Sequence, residues 1–205
     1  MRNNTKTILV GLVAVVSLGI FGVTSARTFW YAPNGEVIVN DSISVIPQKA
    51  LAKENQPSSY PVRLKIPKIK VDAKIMQVGI TKAGNMAAPS NFSDVGWYKY
   101  GAIPGEKGSA VIAGHVDRGA KFPAVFKRLG DLKKGDEIFV ETAEGRDPIR
   151  FVVTGAKLYD YDAQAPEVFW EDNDTLLRLI TCTGQFVKKY GTHDKRLVVT
   201  AVRVG

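Results

Sequence analysis

Val62-Arg63-Leu64-Lys65-Ile66, a Pro67-Lys68 break, and Ile69-Lys70-Val71-Asp72-Ala73-Lys74-Ile75 form the stretch that decides the fold. Apolar and polar residues alternate strictly on both sides of the break, which is the period of a strand with one face in a core and the other in water. A helix would instead bring apolar residues back every three to four positions. Working outward, apolar runs recur at Ala110 to Ala113, Glu137 to Val140, Ile149 to Leu158, Leu176 to Cys182 and Leu197 to Val204, bounded by Gly105, Gly108, Gly135 and Gly145. Helical pattern is confined to Pro123 to Leu129 and a turn around Pro166 to Trp170. Residues 60–205 are therefore expected to be mainly β, a closed or nearly closed barrel of short strands with one or two short helices.

Upstream the composition changes twice. Arg2 and Lys6 precede an uncharged run from Ile8 to Ala26, which as a helix would reach roughly 28 Å, close to the ~30 Å hydrocarbon core of a bilayer. Both basic residues lie before it and none lies between Thr28 and Gln48, so a transmembrane anchor over 1–26 is expected, with its N-terminus in the cytoplasm and the rest of the chain outside. Thr24-Ser25-Ala26 also resembles a signal-peptidase site, and cleavage is the competing reading. Residues 27–59, punctuated by Gly35, Pro47, Pro57 and Ser58-Ser59, read as an extracellular linker, with Val37-Ile38-Val39 as at most a local strand.

The 205 residues carry a net charge of +8, one Cys and two His. An intramolecular disulfide and a Cys-rich zinc site are excluded. The basic surplus suits an anionic partner; with the domain exported, an anionic cell envelope fits and nucleic acid does not. Gly101 to Ser109 contains glycines and a Lys but lacks the contiguous Gly-Lys-Ser/Thr of a phosphate loop, so it reads as a turn entering the strand at Ala110. The carboxylates fall into no EF-hand spacing, and no cofactor or metal is expected.

The chemistry centres on Cys182. It ends the apolar run Leu176 to Cys182 and is followed by Thr183-Gly184. A lone Cys is commonly a small buried hydrophobe, but in an exported chain an unpaired thiol at a strand end is an oxidation liability unless it has a use. A thiol nucleophile needs a base partner, and the two candidates are His115 and His193. His115 closes the strand Ala110 to Gly114, a rigid position, whereas His193 lies in the polar stretch Lys188 to Lys195 that reads as a loop. His115 is therefore the expected acid/base. Arg196, ahead of Leu197 to Val202, is a candidate donor to the oxyanion of thiol attack on a carbonyl.

Together these residues carry a family resemblance. The chain resembles the sortases, membrane-anchored cysteine transpeptidases of Gram-positive bacteria, and looks most like the actinobacterial class F type. Their Thr-Leu-X-Thr-Cys strand is matched by Arg178-Leu179-Ile180-Thr181-Cys182, departing only at Arg178. Their strand ending Ala-Gly-His is matched by Val111 to His115, their Arg-X-Val-Val-X-Ala by Arg196 to Ala201, and their Arg-Leu-X-Ile-Pro-X-Ile-X-Val-Asp-Ala by Arg63 to Ala73.

The resemblance implies an eight-stranded sortase barrel. It implies that Cys182 cleaves a Leu-Pro-X-Thr-Gly-like sorting signal between Thr and Gly, forming a thioester. An amino group, of a peptidoglycan precursor or a pilin, would then resolve it. Arg178, Ile180 and Thr181 are the expected substrate-binding residues; period two puts Arg178 and Ile180 on the face of Cys182. Arg178 either borders the substrate groove or pairs with a carboxylate. A cysteine hydrolase and a non-catalytic wall-binding domain are the readings from other classes. Against the hydrolase, papain-like folds place Cys ahead of His and at the start of a helix.

Overall fold

The alternation at 62–75 folds as two antiparallel strands, β1 (Pro61–Ile66) and β2 (Val71–Val78). Pro67 starts the 3-10 turn Pro67–Ile69 between them, and Lys70 ends it in the left-handed region at φ 57°. Leu64 and Ile66 enter the core, while Arg63 and Lys65 reach Asp72 and Glu141 on the strands either side. This computed structural model describes residues 60–119, 122–170 and 173–205. The expected anchor at 1–26, the linker at 27–59 and the local strand at Val37-Ile38-Val39 lie outside the described residues. Among the described residues no helix is long and apolar enough to cross a membrane.

Six further strands follow: β3 (Val95–Tyr98), β4 (Gly108–Ala113), β5 (Glu137–Thr142), β6 (Ile149–Asp160), β7 (Thr175–Val187) and β8 (Thr192–Arg203). They close a barrel in the order β1-β2-β3-β4-β7-β8-β6-β5, with β5 returning to β1. The pairs β2–β3 and β4–β7 are parallel and the others antiparallel. Closure leaves no unpaired edge strand.

Two apolar clusters arise because some strands are covered on both faces. Leu64, Trp97, Ile112, Phe151, Leu179 and Val199 belong to the cluster that fills the barrel. The alternate residues Val111, Ala113, Ile180, Cys182 and Val198 point the other way and pack beneath Met86, Ala87 and Ala88 and beneath Ala165, Val168 and Phe169. The outer face of β4, β7 and β8 thus lies under two connecting segments, and the thiol is in that layer.

The structure corrects several expected elements. Pro123 to Leu129 is not a helix. Pro123 bridges Asp117, Phe126 N–H donates to the His115 carbonyl, and the chain makes a turn before the 3-10 turn Leu129–Asp131. Strand β7 does not end at Cys182 but continues to Val187 across a register shift between Thr183 and Phe186. There Gly184 has φ +81°, and an added Cβ would lie 2.0 Å from Asp194 Oδ1. Strand β8 begins at Thr192, so His193 is on a strand rather than in a loop, and Arg196 is interior to β8.

Candidate active site

Parallel pairing between β4 and β7 positions the two reactive side chains. The register runs to Ala113 opposite Ile180, and His115 and Cys182 follow just beyond it at the same end of the pair, where both line one cleft. Two bonds hold the strand exits together: Gly114 N–H donates to Ile180 O at 3.0 Å, and Thr181 Oγ1 donates to Gly114 O at 2.8 Å. Glycine is required at 114, because a Cβ there would lie 2.5 Å from Phe126 Cδ2. Phe126 therefore packs directly against the backbone that aims His115.

On the opposite side, β7 and β8 pair Cys182 with Arg196. Directly opposed residues share a face, with Cβ atoms about 4.5–5.5 Å apart. Arg196 is 1% exposed. Its Nη1 donates to the carbonyls of His193 (2.8 Å) and Lys195 (2.9 Å), and Nη2 donates to Thr192 Oγ1 at 3.0 Å. None of these acceptors is a carboxylate, and Nε is buried with no hydrogen-bond partner among the described residues. A guanidinium held only by neutral acceptors keeps its positive field for whatever anion forms beside it.

Cys182 and His115 line one cleft of about 340 Å³, with Pro89, Phe92, Asp117, Phe186, Thr192 and His193 among its other walls. Cys182 is 8% exposed, so one small edge of the side chain meets the cleft. Burial pushes its thiol up; the nearby Arg196 charge and a hydrogen bond from Thr192 pull it back, and the Asp117 carboxylate adds to the rise. Burial also pulls the His115 imidazole below its ordinary value, opposed by its bond to Pro89 and by Asp117. Because a carbonyl only accepts, His115 Nε2 donates to Pro89 O at 3.0 Å, which leaves Nδ1 as the basic nitrogen of the neutral ring. Both shifts favour neutral thiol and neutral imidazole, so the thiolate–imidazolium pair is the minor form.

The remaining expected site residues hold the walls. None of Arg178, Ile180 and Thr181 lines the cleft. Thr181 is committed to Gly114 and Ile180 is buried beside Cys182 in the outer layer. Arg178 pairs with hydroxyls rather than a carboxylate: Nε donates to Ser109 Oγ and Nη1 to Thr200 Oγ1, each at 3.1 Å. Ser109 in turn donates to Val168 O at 2.7 Å, linking Arg178 to the segment that covers the outer layer.

Sequence reasoning missed Asp117 and Thr192 and placed His193 away from the site. His193 Nε2 lies 3.3 Å from Asp117 Oδ2, both half-buried, so this pair spans the cleft from the exit of β4 to β8. The signal for Asp117 was present in the spacing His115-Val116-Asp117; nothing in the sequence marked Thr192. Among the described residues no group of three His, Cys, Asp or Glu is arranged to hold a metal ion. A thiol and an imidazole on one cleft, with a buried guanidinium cross-strand from the thiol behind the cleft wall, are the parts needed for acyl transfer through a thioester.

Comparison with known proteins agrees with this chemistry. A family model described as the sortase domain matches residues 64–204. Sortase D of Bacillus subtilis (strain 168) is 30% identical over 139 residues, covering 65% of this chain; the chain spans 62% of that relative's length. Among solved structures, sortase C-1 from Actinomyces oris is similar with a TM-score of 0.53 at 26% identity, covering 70% of this chain and 73% of that one. Sortase C1 of Streptococcus agalactiae gives 0.54 at 25% identity, covering 70% and 66%. Sortase A from Corynebacterium diphtheriae, at 24% identity, shares the fold with a TM-score of 0.55 over 75% and 63% of the two chains.

Proposed function

Because the chain belongs to the sortase family, we propose that it is a cysteine transpeptidase whose machinery is Cys182, His115 and Arg196. The observation that carries this reading is the cleft lined by both the thiol and the imidazole, with a buried guanidinium on β8 directly cross-strand from the thiol. Cys182 sulfur, as thiolate, attacks a peptide carbonyl, and negative charge gathers on the carbonyl oxygen, where Arg196 Nε–H is the donor still free. The tetrahedral species collapses as His115 imidazolium gives its proton to the departing amine, leaving a thioester on Cys182 and a neutral imidazole. An incoming amine attacks the thioester, His115 takes the amine proton, and the sulfur departs to be reprotonated. Atoms and charge return to the starting state.

The substrate we propose is a Leu-Pro-X-Thr-Gly-like sorting signal on surface proteins, cut between Thr and Gly, with a peptidoglycan-precursor amine as acceptor. The exposed aromatic rings Phe92 and Phe186 on the cleft walls suit an apolar peptide segment. The pilin-polymerising alternative draws its support from a solved relative at 25% identity, the sortase C1 of a group B streptococcal pilus island. The class F assignment draws its support from the His115-Val116-Asp117 sequence. We further assign residues 1–26 as a single membrane span, cytoplasmic at its N-terminus, 27–59 as the linker and 60–205 as the extracellular catalytic domain. Carbonate extraction of membranes tests the anchor: the full chain should stay in the pellet and residues 27–205 should not.

Incubating the protein with a panel of pentapeptide sorting signals and either a peptidoglycan stem-peptide amine or a pilin lysine peptide, with products read by mass spectrometry, tests the reaction. Amine-dependent ligation at Thr is the expected product. Cleavage with no ligation to either amine would favour a hydrolase, and ligation to the lysine peptide alone would favour pilus assembly.

A further inference from the structure

Thr192 is a small polar residue at the start of β8, paired with Val187, and the motif residues give it no role. It is buried, yet it lines the cleft together with Cys182. Its Oγ1 receives Arg196 Nη2 at 3.0 Å, while Nη1 is occupied by the carbonyls of His193 and Lys195. Thr192 and Cys182 line the same cleft, Arg196 lies cross-strand from Cys182, and the hydroxyl is among the groups that pull the thiol down.

The direction of these two interactions follows from what each group can do. A guanidinium has donors and no acceptor, so Thr192 oxygen must accept from Arg196. The hydroxyl hydrogen is then the part left for Cys182, and a thiolate is its strongest acceptor there. Donation from Arg196 polarises the hydroxyl and strengthens the bond it gives. Removing the hydroxyl would take away this donor while Arg196 keeps its bonds to the His193 and Lys195 carbonyls.

We propose that Thr192 is a positioning residue that donates its hydroxyl hydrogen to the Cys182 thiolate and is held in that direction by Arg196. The kinetic consequence rests on the transpeptidase reading above; the proposed donation to the thiolate does not. The other charged or titratable groups facing the thiol are Arg196 and His193 on β8 and His115 and Asp117 beyond β4, and all are kept in the test.

The test is the pH dependence of Cys182 alkylation by iodoacetamide, followed by intact mass in a chain with one cysteine. Wild type, Thr192→Val and Thr192→Ser are compared in full-length protein, with circular dichroism confirming the fold. Thr192→Val should move the alkylation midpoint upward by about one pH unit and lower kcat/KM for a sorting peptide by about tenfold at neutral pH. Thr192→Ser should restore both. If the valine variant does not fold, Thr192→Ala is read the same way. A midpoint unchanged from wild type in the valine or alanine variant would overturn the proposal, leaving Thr192 as a peg for Arg196. Absence of peptide turnover in wild type would instead sink the transpeptidase reading, while the midpoint shift could still be measured.

Discussion

Strands β1 and β2 and strands β7 and β8 are both antiparallel pairs of one barrel, yet they treat charge in opposite ways. On β1 and β2 the basic residues face water and meet carboxylates, Arg63 with Asp72 and Lys65 with Glu141. Such pairs are screened and interchangeable. On β7 and β8, Arg178 and Arg196 turn into a covered layer and meet only hydroxyls and carbonyls in the bonds described. The first arrangement solubilises a strand. The second keeps a cation available beside the thiol, at the cost of desolvating it.

The largest effect that sharpens this comparison is expected from Cys182→Ala, which should abolish cleavage and transfer while the fold survives. Turnover at even a tenth of wild type would remove the thioester from the account. Next, His115→Ala should lower kcat/KM by about 10² to 10⁴, the usual scale for a lost acid/base, and His193→Ala by much less. Equal losses would transfer the role to the His193–Asp117 pair. The wild-type pH profile should be a broad bell. Its acid limb should lie below about 6.5 and its alkaline limb above about 8.5, because burial lowers the imidazole and raises the thiol. Limbs lying inside that interval would mean that burial does not shift the two groups in these directions.

Arg196→Lys comes third, with kcat falling roughly 10²-fold and KM changing less, since an ammonium cannot reproduce the fork held by Thr192, His193 and Lys195. Near-normal kcat would reduce Arg196 to a source of field. Smallest of all should be Arg63→Ala, which should leave peptide turnover unchanged and the melting temperature within experimental scatter. A loss of activity there would mean that the two strand pairs are not the separate regions described.

What could be read from sequence follows the same division. Alternation revealed β1 and β2 because one face of each is wet. It did not reveal β3, whose residues Val95 to Tyr98 are all buried and show no period. The apolar runs located most of β4 and the first half of β7, and Cys182, His115 and Arg196 were identified as candidates from residue type and motif. The distal halves of the β7–β8 ribbon escaped because Gly184-Gln185 and Thr192-His193-Asp194-Lys195 are polar and pair through backbone bonds and a register shift. That blind spot moved His193 into a loop and hid Thr192, since neither a cross-strand bond nor a hydroxyl's direction leaves a periodic mark. Arg178 was placed on the correct face for its period but given the wrong class of partner, because Ser109 and Thr200 lie far from it in the chain.

The central claim is that the buried thiol opposite Arg196 becomes covalently acylated. Acid-quenching the enzyme within seconds of mixing with a sorting-signal peptide, then measuring intact mass and mapping the adduct, tests it most directly. The account requires a thioester-linked fragment on Cys182 that disappears when an acceptor amine is added and never forms in Cys182→Ala. Peptide turnover with no adduct at any quench time, or an adduct that persists in Cys182→Ala, would contradict it.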